Sequence, residues 1–261
     1  MAENENILEV RHLKKYFKTA HGVLHAVDDV NFTVKRGETL GLVGESGCGK
    51  STIGRLILGL HQATSGEILF EGKDICKMNK SGLHDLRKDM QIIFQDPYSS
   101  LNPRMSISEI IGEPLLIHKR VSNRAELDKR VHELMDTVGL ASRLENAYPH
   151  ELDGGRRQRV GIARALSLRP KFIVCDEPVS SLDVSIQAQV LNLLKELQAE
   201  YGLTYLFITH DLSVVKYFSD KIAVMYLGQL VETASSEELF RSTLHPYSQA
   251  LLSAIPEPSV H

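Results

Sequence analysis

The residues Gly44-Glu45-Ser46-Gly47-Cys48-Gly49-Lys50-Ser51 carry the spacing G-x-x-x-x-G-K-[ST]. A backbone that curls so that successive N–H groups point inward at an anion needs residues without a Cβ, and the glycines supply them. A helix beginning near Lys50 adds its positive N-terminal end. Lys50 is then expected to reach the β- and γ-phosphates of a nucleotide, and the Ser51 hydroxyl to ligate Mg²⁺, with Thr52 continuing the cradle. Cys48 reads as a small loop residue and not as a redox group.

A second constellation stands at Phe172-Ile173-Val174-Cys175-Asp176-Glu177, an apolar run ending in two acids. Successive strand residues face opposite ways. Asp176 is therefore expected in the Mg²⁺ shell, and Glu177 facing the γ-phosphate, where a carboxylate can orient and deprotonate water. Two acids at a strand end are common on surfaces, so it is the phosphate loop upstream that gives this pair a task.

The elements that must position these groups show in the hydrophobic period. Val30, Phe32 and Val34 alternate with polar residues, the strand period, and Arg36-Gly37-Glu38 reads as a turn. Thr39–Val43 is an apolar run feeding the glycine-rich loop. Ile53, Leu56, Ile57 and Leu60 share one helical face. Glu67–Phe70, Phe172–Cys175, Tyr205–Thr209 and Lys221–Leu227 read as strands, and Ile186, Val190, Leu193, Leu194 and Leu197 as the face of a long helix. Such alternation predicts a mostly parallel sheet with helices on its faces. Residues 96–160 differ, with helical patterns broken at Pro103, Pro114, Gly139 and Pro149.

Composition bounds the rest. The chain has 261 residues, 43% hydrophobic and 24% charged, which suffices for a large core. With a net charge of −3, nothing global suggests a nucleic-acid binder. Three cysteines without framework spacing fit a reducing compartment. The polar opening MAENENILEV is not a signal peptide. No run approaches the ~18 apolar residues that span a bilayer, so the chain is expected to be soluble and any membrane-crossing part to lie on another chain.

With these residues in place, the sequence from 7 to about 256 resembles the ABC transporter ATPases. The resemblance implies an α/β fold: a P-loop NTPase (RecA-like) core with a mostly parallel sheet, an N-terminal antiparallel β segment and an inserted helical subdomain. The core would take residues 1–95 and 161–234, the helical subdomain 96–160, and a helical, proline-containing tail 235–261. It implies ATP and Mg²⁺ as ligands. Gln95, in Ile92-Ile93-Phe94-Gln95-Asp96, resembles the glutamine that contacts Mg²⁺ and water and couples the nucleotide to the insertion. Ser181-Leu182-Asp183 resembles the D-loop, and His210 the switch histidine at the γ-phosphate. Tyr16 and Phe17 both qualify as an adenine platform, family spacing favours Phe17, and Val27 is expected beside it. The hallmark Leu-Ser-Gly-Gly-Gln is altered to Leu152-Asp153-Gly154-Gly155-Arg156, ahead of a helix Arg157–Leu168. In the family this motif caps the γ-phosphate on the opposite subunit of a dimer. Asp153 is as good a helix N-cap as serine. A carboxylate ~4 Å from a phosphate nevertheless costs about 4 kcal/mol at an effective dielectric near 20, and Arg156 or Arg157 could offset it.

Finer segments narrow the resemblance. They are Gln95–Arg104 (QDPYSSLNPR), Tyr148–Leu152 (YPHEL), Asp183–Val190 (DVSIQAQV) and His245–Pro256 (HPYSQALLSAIP). They resemble ATPases of bacterial oligopeptide and dipeptide importers, closely related to nickel importers. The partners so implied are a second ATPase chain, in a heterodimer or a homodimer, two transmembrane permeases, and indirectly an extracytoplasmic solute-binding protein, with no nucleic acid. The implied location is peripheral, at the cytoplasmic face of the plasma membrane. The alternatives are a nickel or metal-chelate importer and a non-transport ABC ATPase, although no tandem cassette, coiled coil or basic arm is visible.

Overall fold

The computed structural model describes residues 5–20 and 22–254. The opening residues 1–4 and the tail prolines Pro256 and Pro258 lie outside the described residues. In chain order the elements are β1 (Asn6–Thr19), β2 (Gly22–Lys35), β3 (Thr39–Val43), α1 (Lys50–Ile57), β4 (Ser65–Phe70), β5 (Lys73–Asp74), α2 (Lys80–Leu86), β6 (Met90–Ile93), α3 (Pro97–Ser100) and α4 (Ile107–Ile117). There follow α5 (Arg124–Thr137), α6 (Gly154–Leu166), β7 (Phe172–Asp176), α7 (Val184–Tyr201), β8 (Thr204–Thr209), α8 (Leu212–Phe218), β9 (Lys221–Tyr226), β10 (Gln229–Ser235), α9 (Ser236–Arg241) and α10 (Pro246–Ser253). The chain divides into two compact units, Met1–Leu83 with Thr204–His261, and His84–Leu203.

The first unit carries an antiparallel sheet in the order β2-β1-β4-β5. In β2 the predicted alternation holds: Val30, Phe32 and Val34 are buried while Asn31 and Thr33 are exposed. Its other strands pair differently. β3 runs parallel to β8 and to β9, and β10 is antiparallel to β9. Every residue of β3 and of β8 is buried. Strands covered on both faces read as continuous apolar runs, which explains why these two show no alternation.

One expectation in this unit fails. Ile53, Leu56 and Ile57 are buried on α1, but Leu60 is 47% exposed and off the helix. Gly59, at φ +62°, ends the helix in a left-handed turn. The Gly59 amide donates to the Leu56 carbonyl and the Leu60 amide to the Arg55 carbonyl, a Schellman closure that turns Leu60 away from the helical face.

In the second unit β6 and β7 pair in parallel from Met90↔Phe172 to Ile93↔Cys175. Between Pro97 and Leu166 the described residues form helices α3 to α6 and no strand. Helix α6 begins at Gly154, three residues before the predicted Arg157, because Asp153 caps it. Helix α7 buries Val190, Leu193, Leu194 and Leu197 of the predicted face, leaves Ile186 at its first turn half-buried, and ends at Gly202 with φ +65°. Among the described residues no helix is long and apolar enough to cross a membrane.

Candidate functional site

The expected site residues fall in both units. In the first, β3 ends at Val43 and the chain turns through Gly44–Gly49 into α1. A Cβ at Gly44 (φ +153°) would lie 2.2 Å from the Met225 carbonyl oxygen, and one at Gly49 (φ +112°) 2.1 Å from that of Ala26. No side chain fits at either place, so the loop needs glycine for space as well as conformation. The Gly228 amide donates to the Cys48 carbonyl at 3.1 Å and ties the loop to the turn after β9.

Lys50 is 4% exposed. A buried ammonium needs acceptors, and its Nζ donates to the Gly44 and Glu45 carbonyls at 2.7 and 2.8 Å. Its third contact is the Cys48 sulfur at 3.8 Å, a weak acceptor that an anion would displace. Cys48 is buried, and burial pushes its thiol pKa up, against a redox role. Ser51 and Thr52 stand in the first turn of α1. His210 is exposed just past β8, beside Asp211, which caps α8.

The aromatic candidates separate by their contacts. The Tyr16 hydroxyl donates to Asp28 at 2.5 Å, and the Tyr16 ring stacks on His25 at 4.0 Å. Phe17 is half-buried, with His61 at its edge and the Lys15 ammonium 4.8 Å from its centroid. In the strand register Phe17 is opposite Leu24, and the fully buried Val27 is opposite Lys15. Two register shifts between Leu13 and Tyr16, each with one extra residue on β2, alter that pairing, and no hydrophobic period reveals them.

In the second unit Asp176 ends β7 and is buried. Glu177 lies beyond the strand at φ +49°, so a left-handed turn aims it, not the pleat alternation expected. Backbone of this kind in a non-glycine residue is sparsely populated and clusters at functional sites. Gln95 Nε2 donates to Glu177 Oε2 at 2.8 Å, and Ser181 Oγ donates to the Gln95 carbonyl at 3.5 Å. Three residues placed 82 and 86 positions apart in sequence are thus joined. Asp183 caps α7, accepting from the Ile186 amide and the Ser185 hydroxyl. The Ser185 hydroxyl and then the Ile186 amide hold its carboxyl below the usual aspartate range.

The altered motif is ordered around its aspartate. Asp153 Oδ1 accepts from the Arg156 amide at 2.8 Å, and Oδ2 lies 3.4 Å from Arg156 Nε. Leu152 is buried, and a Cβ on Gly155 would meet Ile186 at 2.6 Å. Arg157 lies over the Tyr98 ring at 5.3 Å.

Sequence reasoning missed Tyr247 as a site residue. Its hydroxyl accepts from the Glu45 amide at 3.1 Å, across 202 positions of sequence. The His-Pro-Tyr signal was visible, but nothing local linked it to the phosphate loop.

The sequence matches the ABC transporter family over residues 27–180. It is 59% identical over 255 residues to the oligopeptide transport ATP-binding protein OppF of Bacillus subtilis, covering 97% of this chain and 84% of that one. It is 53% identical over 263 residues to the oligopeptide transport ATP-binding protein AppF of the same organism, covering 98% and 80%. A dimeric ATP-binding cassette solved in a post-hydrolysis state with ADP and Pi matches at TM-score 0.80 and 30% identity, over 88% of this chain and 98% of that one. The chain is an ABC-type ATPase and belongs to the ABC transporter family.

Proposed function

We propose that this chain powers uptake of oligopeptides or dipeptides by hydrolysing ATP on behalf of membrane-spanning permeases. The observation that supports this most is the buried Lys50, fixed by two carbonyls of a glycine-built loop, in a chain so similar to oligopeptide transport ATP-binding proteins. The ATP phosphates would lie on the amides of Gly44–Thr52 with Lys50 at the β- and γ-positions, and adenine on Phe17. Oxygen donors suit a hard cation, and Ser51, Gln95 and Asp176 would supply them for Mg²⁺. That ion would neutralise charge building on the phosphates. Glu177 would accept the proton of the attacking water, held in place by the Gln95 amide. His210 would contact the γ-phosphate. Leu152–Arg156 and Asp183 would face nucleotide bound by a second ATPase chain.

In this reading residues 96–160 meet the permeases, and the chain sits at the cytoplasmic face of the membrane as a peripheral subunit. Nickel or a metal chelate remains the second substrate class, because the peptide importers that Gln95–Arg104, Tyr148–Leu152, Asp183–Val190 and His245–Pro256 together resemble are closely related to nickel importers. The test is reconstitution in vesicles with permeases, a second ATPase and a solute-binding protein of an oligopeptide importer from the same source. ATP-dependent entry of labelled peptide, absent with Lys50→Ala, is the expected result. Import of Ni²⁺ without peptide would replace the substrate assignment.

A further inference from the structure

The peptide unit between Gly44 and Glu45 is gripped from both sides. Its carbonyl, on Gly44, accepts from Lys50 Nζ at 2.7 Å. Its N–H, on Glu45, donates to the Tyr247 hydroxyl at 3.1 Å. A peptide is planar, so its carbonyl and N–H rotate together. Any turn of this amide that lost the tyrosine would also swing the carbonyl away from Lys50. Two hydrogen bonds through one amide also polarise one another.

Tyr247 is itself held firmly. It lies on the first turn of α10, and its ring packs against Tyr226 at 4.3 Å. Glu232 of β10 accepts from the Leu244 and His245 amides at 2.8 and 3.1 Å. The Tyr247 amide closes on His245 Nδ1 at 3.2 Å. The hydroxyl is thus delivered to the loop by a segment anchored to the sheet, and not by a freely swinging side chain.

We propose that Tyr247 is a positioning residue for the phosphate loop: its hydroxyl orients the Gly44–Glu45 amide, which fixes the Lys50 ammonium with one donor directed at the anion. The proposal rests on the reading of Gly44–Thr52 as the nucleotide phosphate site. It extends that site to a residue of the C-terminal segment, so that nucleotide affinity depends on how α10 is seated.

The test uses the full chain and a fluorescent ADP analogue. Tyr247→Phe keeps the ring and its packing and removes only the acceptor. Its nucleotide Kd should rise roughly three- to tenfold, the range expected for one neutral hydrogen bond to a functional amide. The thermal midpoint without nucleotide should not move. Tyr226→Phe, the other ring of the pair, should bind as the unchanged chain does. In the assembled transporter Tyr247→Phe should raise KM for ATP and leave kcat nearly unaltered, a split that a general loss of folding does not produce. Unchanged affinity in Tyr247→Phe overturns the proposal. Equal losses in both tyrosine variants, with a lowered thermal midpoint, overturn it in favour of a general contribution of the two hydroxyls to folding. Lys50→Ala separates the premise from the inference: if it binds nucleotide normally, the phosphate-site reading fails first. If it weakens binding while Tyr247→Phe does not, only the role of Tyr247 fails.

Discussion

Gln95 Nε2 donates to Glu177 Oε2 at 2.8 Å, one unit of amide holding the carboxylate that follows the buried Asp176. The bond joins the segment after β6 to the turn after β7, two strands that run side by side from Met90↔Phe172. Their parallel register sets both chain reversals at the same end of the pair, where the glutamine and the glutamate meet.

That pair makes the first prediction. Glu177→Gln preserves size and hydrogen bonding but removes the proton acceptor, so ATP turnover should fall by roughly 10²–10⁴-fold with nucleotide binding retained. Gln95→Ala leaves the base in place and unheld, and the loss should be smaller. Single-turnover hydrolysis beside an ADP-binding titration measures both. Near-normal turnover by Glu177→Gln in the assembled transporter would remove Glu177 from the role of base.

How much of this was legible beforehand depends on the range of each contact. The strands β3, β7 and β8 showed in apolar runs because their burial is continuous. The phosphate loop showed because its glycines are dictated by neighbours as close as the Met225 carbonyl. The aim of Glu177 did not, since a left-handed φ at a glutamate leaves no compositional mark. The pairing of Phe17 with Leu24 and of Lys15 with Val27 did not show either, because extra residues on β2 shift the register without a mark in the hydrophobic pattern. The Tyr247–Glu45 bond, spanning 202 residues, is tertiary from end to end.

A second prediction concerns the segment after Gln95. Tyr98 is 58% exposed, its amide caps onto Asp96, and the Ser100 carbonyl accepts from Arg164 at 2.8 Å. The segment is therefore pinned by backbone, while Tyr98 and Ser99 remain exposed and Ser100 half-buried. Ser100→Arg should leave ADP binding by the isolated chain unchanged and uncouple peptide uptake in the reconstituted transporter. Lost nucleotide binding would instead mark this segment as support for the core.

Acid should loosen the C-terminal segment. Burial pushes the Glu232 carboxyl up, but the Ser248 hydroxyl and the Leu244 and His245 amides outweigh it and hold its pKa below the ordinary 4.5. A depressed carboxylate contributes stability in full above its unfolded pKa and loses it as pH falls through the folded one. Amide exchange at Leu244 and His245 should therefore accelerate beyond its intrinsic pH trend below about pH 4.5. Glu232→Gln should flatten that extra acid dependence. Equal pH profiles in the two chains would show that the ionised carboxylate does not hold the segment.

The last prediction concerns Asp153, whose charge stands where the family has a serine. Two effects compete there. Repulsion from a phosphate of nucleotide on a second chain would slow that site. Capping would stabilise α6 and cost nothing in turnover. The geometry favours capping: one carboxylate oxygen accepts the Arg156 amide at 2.8 Å and the other lies 3.4 Å from the Arg156 guanidinium. Arg143 and Arg159 line the same cleft as Asp153 and Arg156, which adds positive charge around the carboxylate. Asp153→Ser should therefore preserve both stability and turnover, because serine caps comparably. Asp153→Ala should lower unfolding stability by about 1 kcal/mol, the usual worth of a cap. Arg156→Gln is the sharper probe, since it strips the offsetting charge and leaves the cap. Turnover in the two-chain assembly should then fall, and Asp153→Ser in the same background should restore it. If Asp153→Ser alone raises turnover, and the rise disappears when the partner's catalytic glutamate is replaced, repulsion outweighs capping and the two ATP sites are unequal.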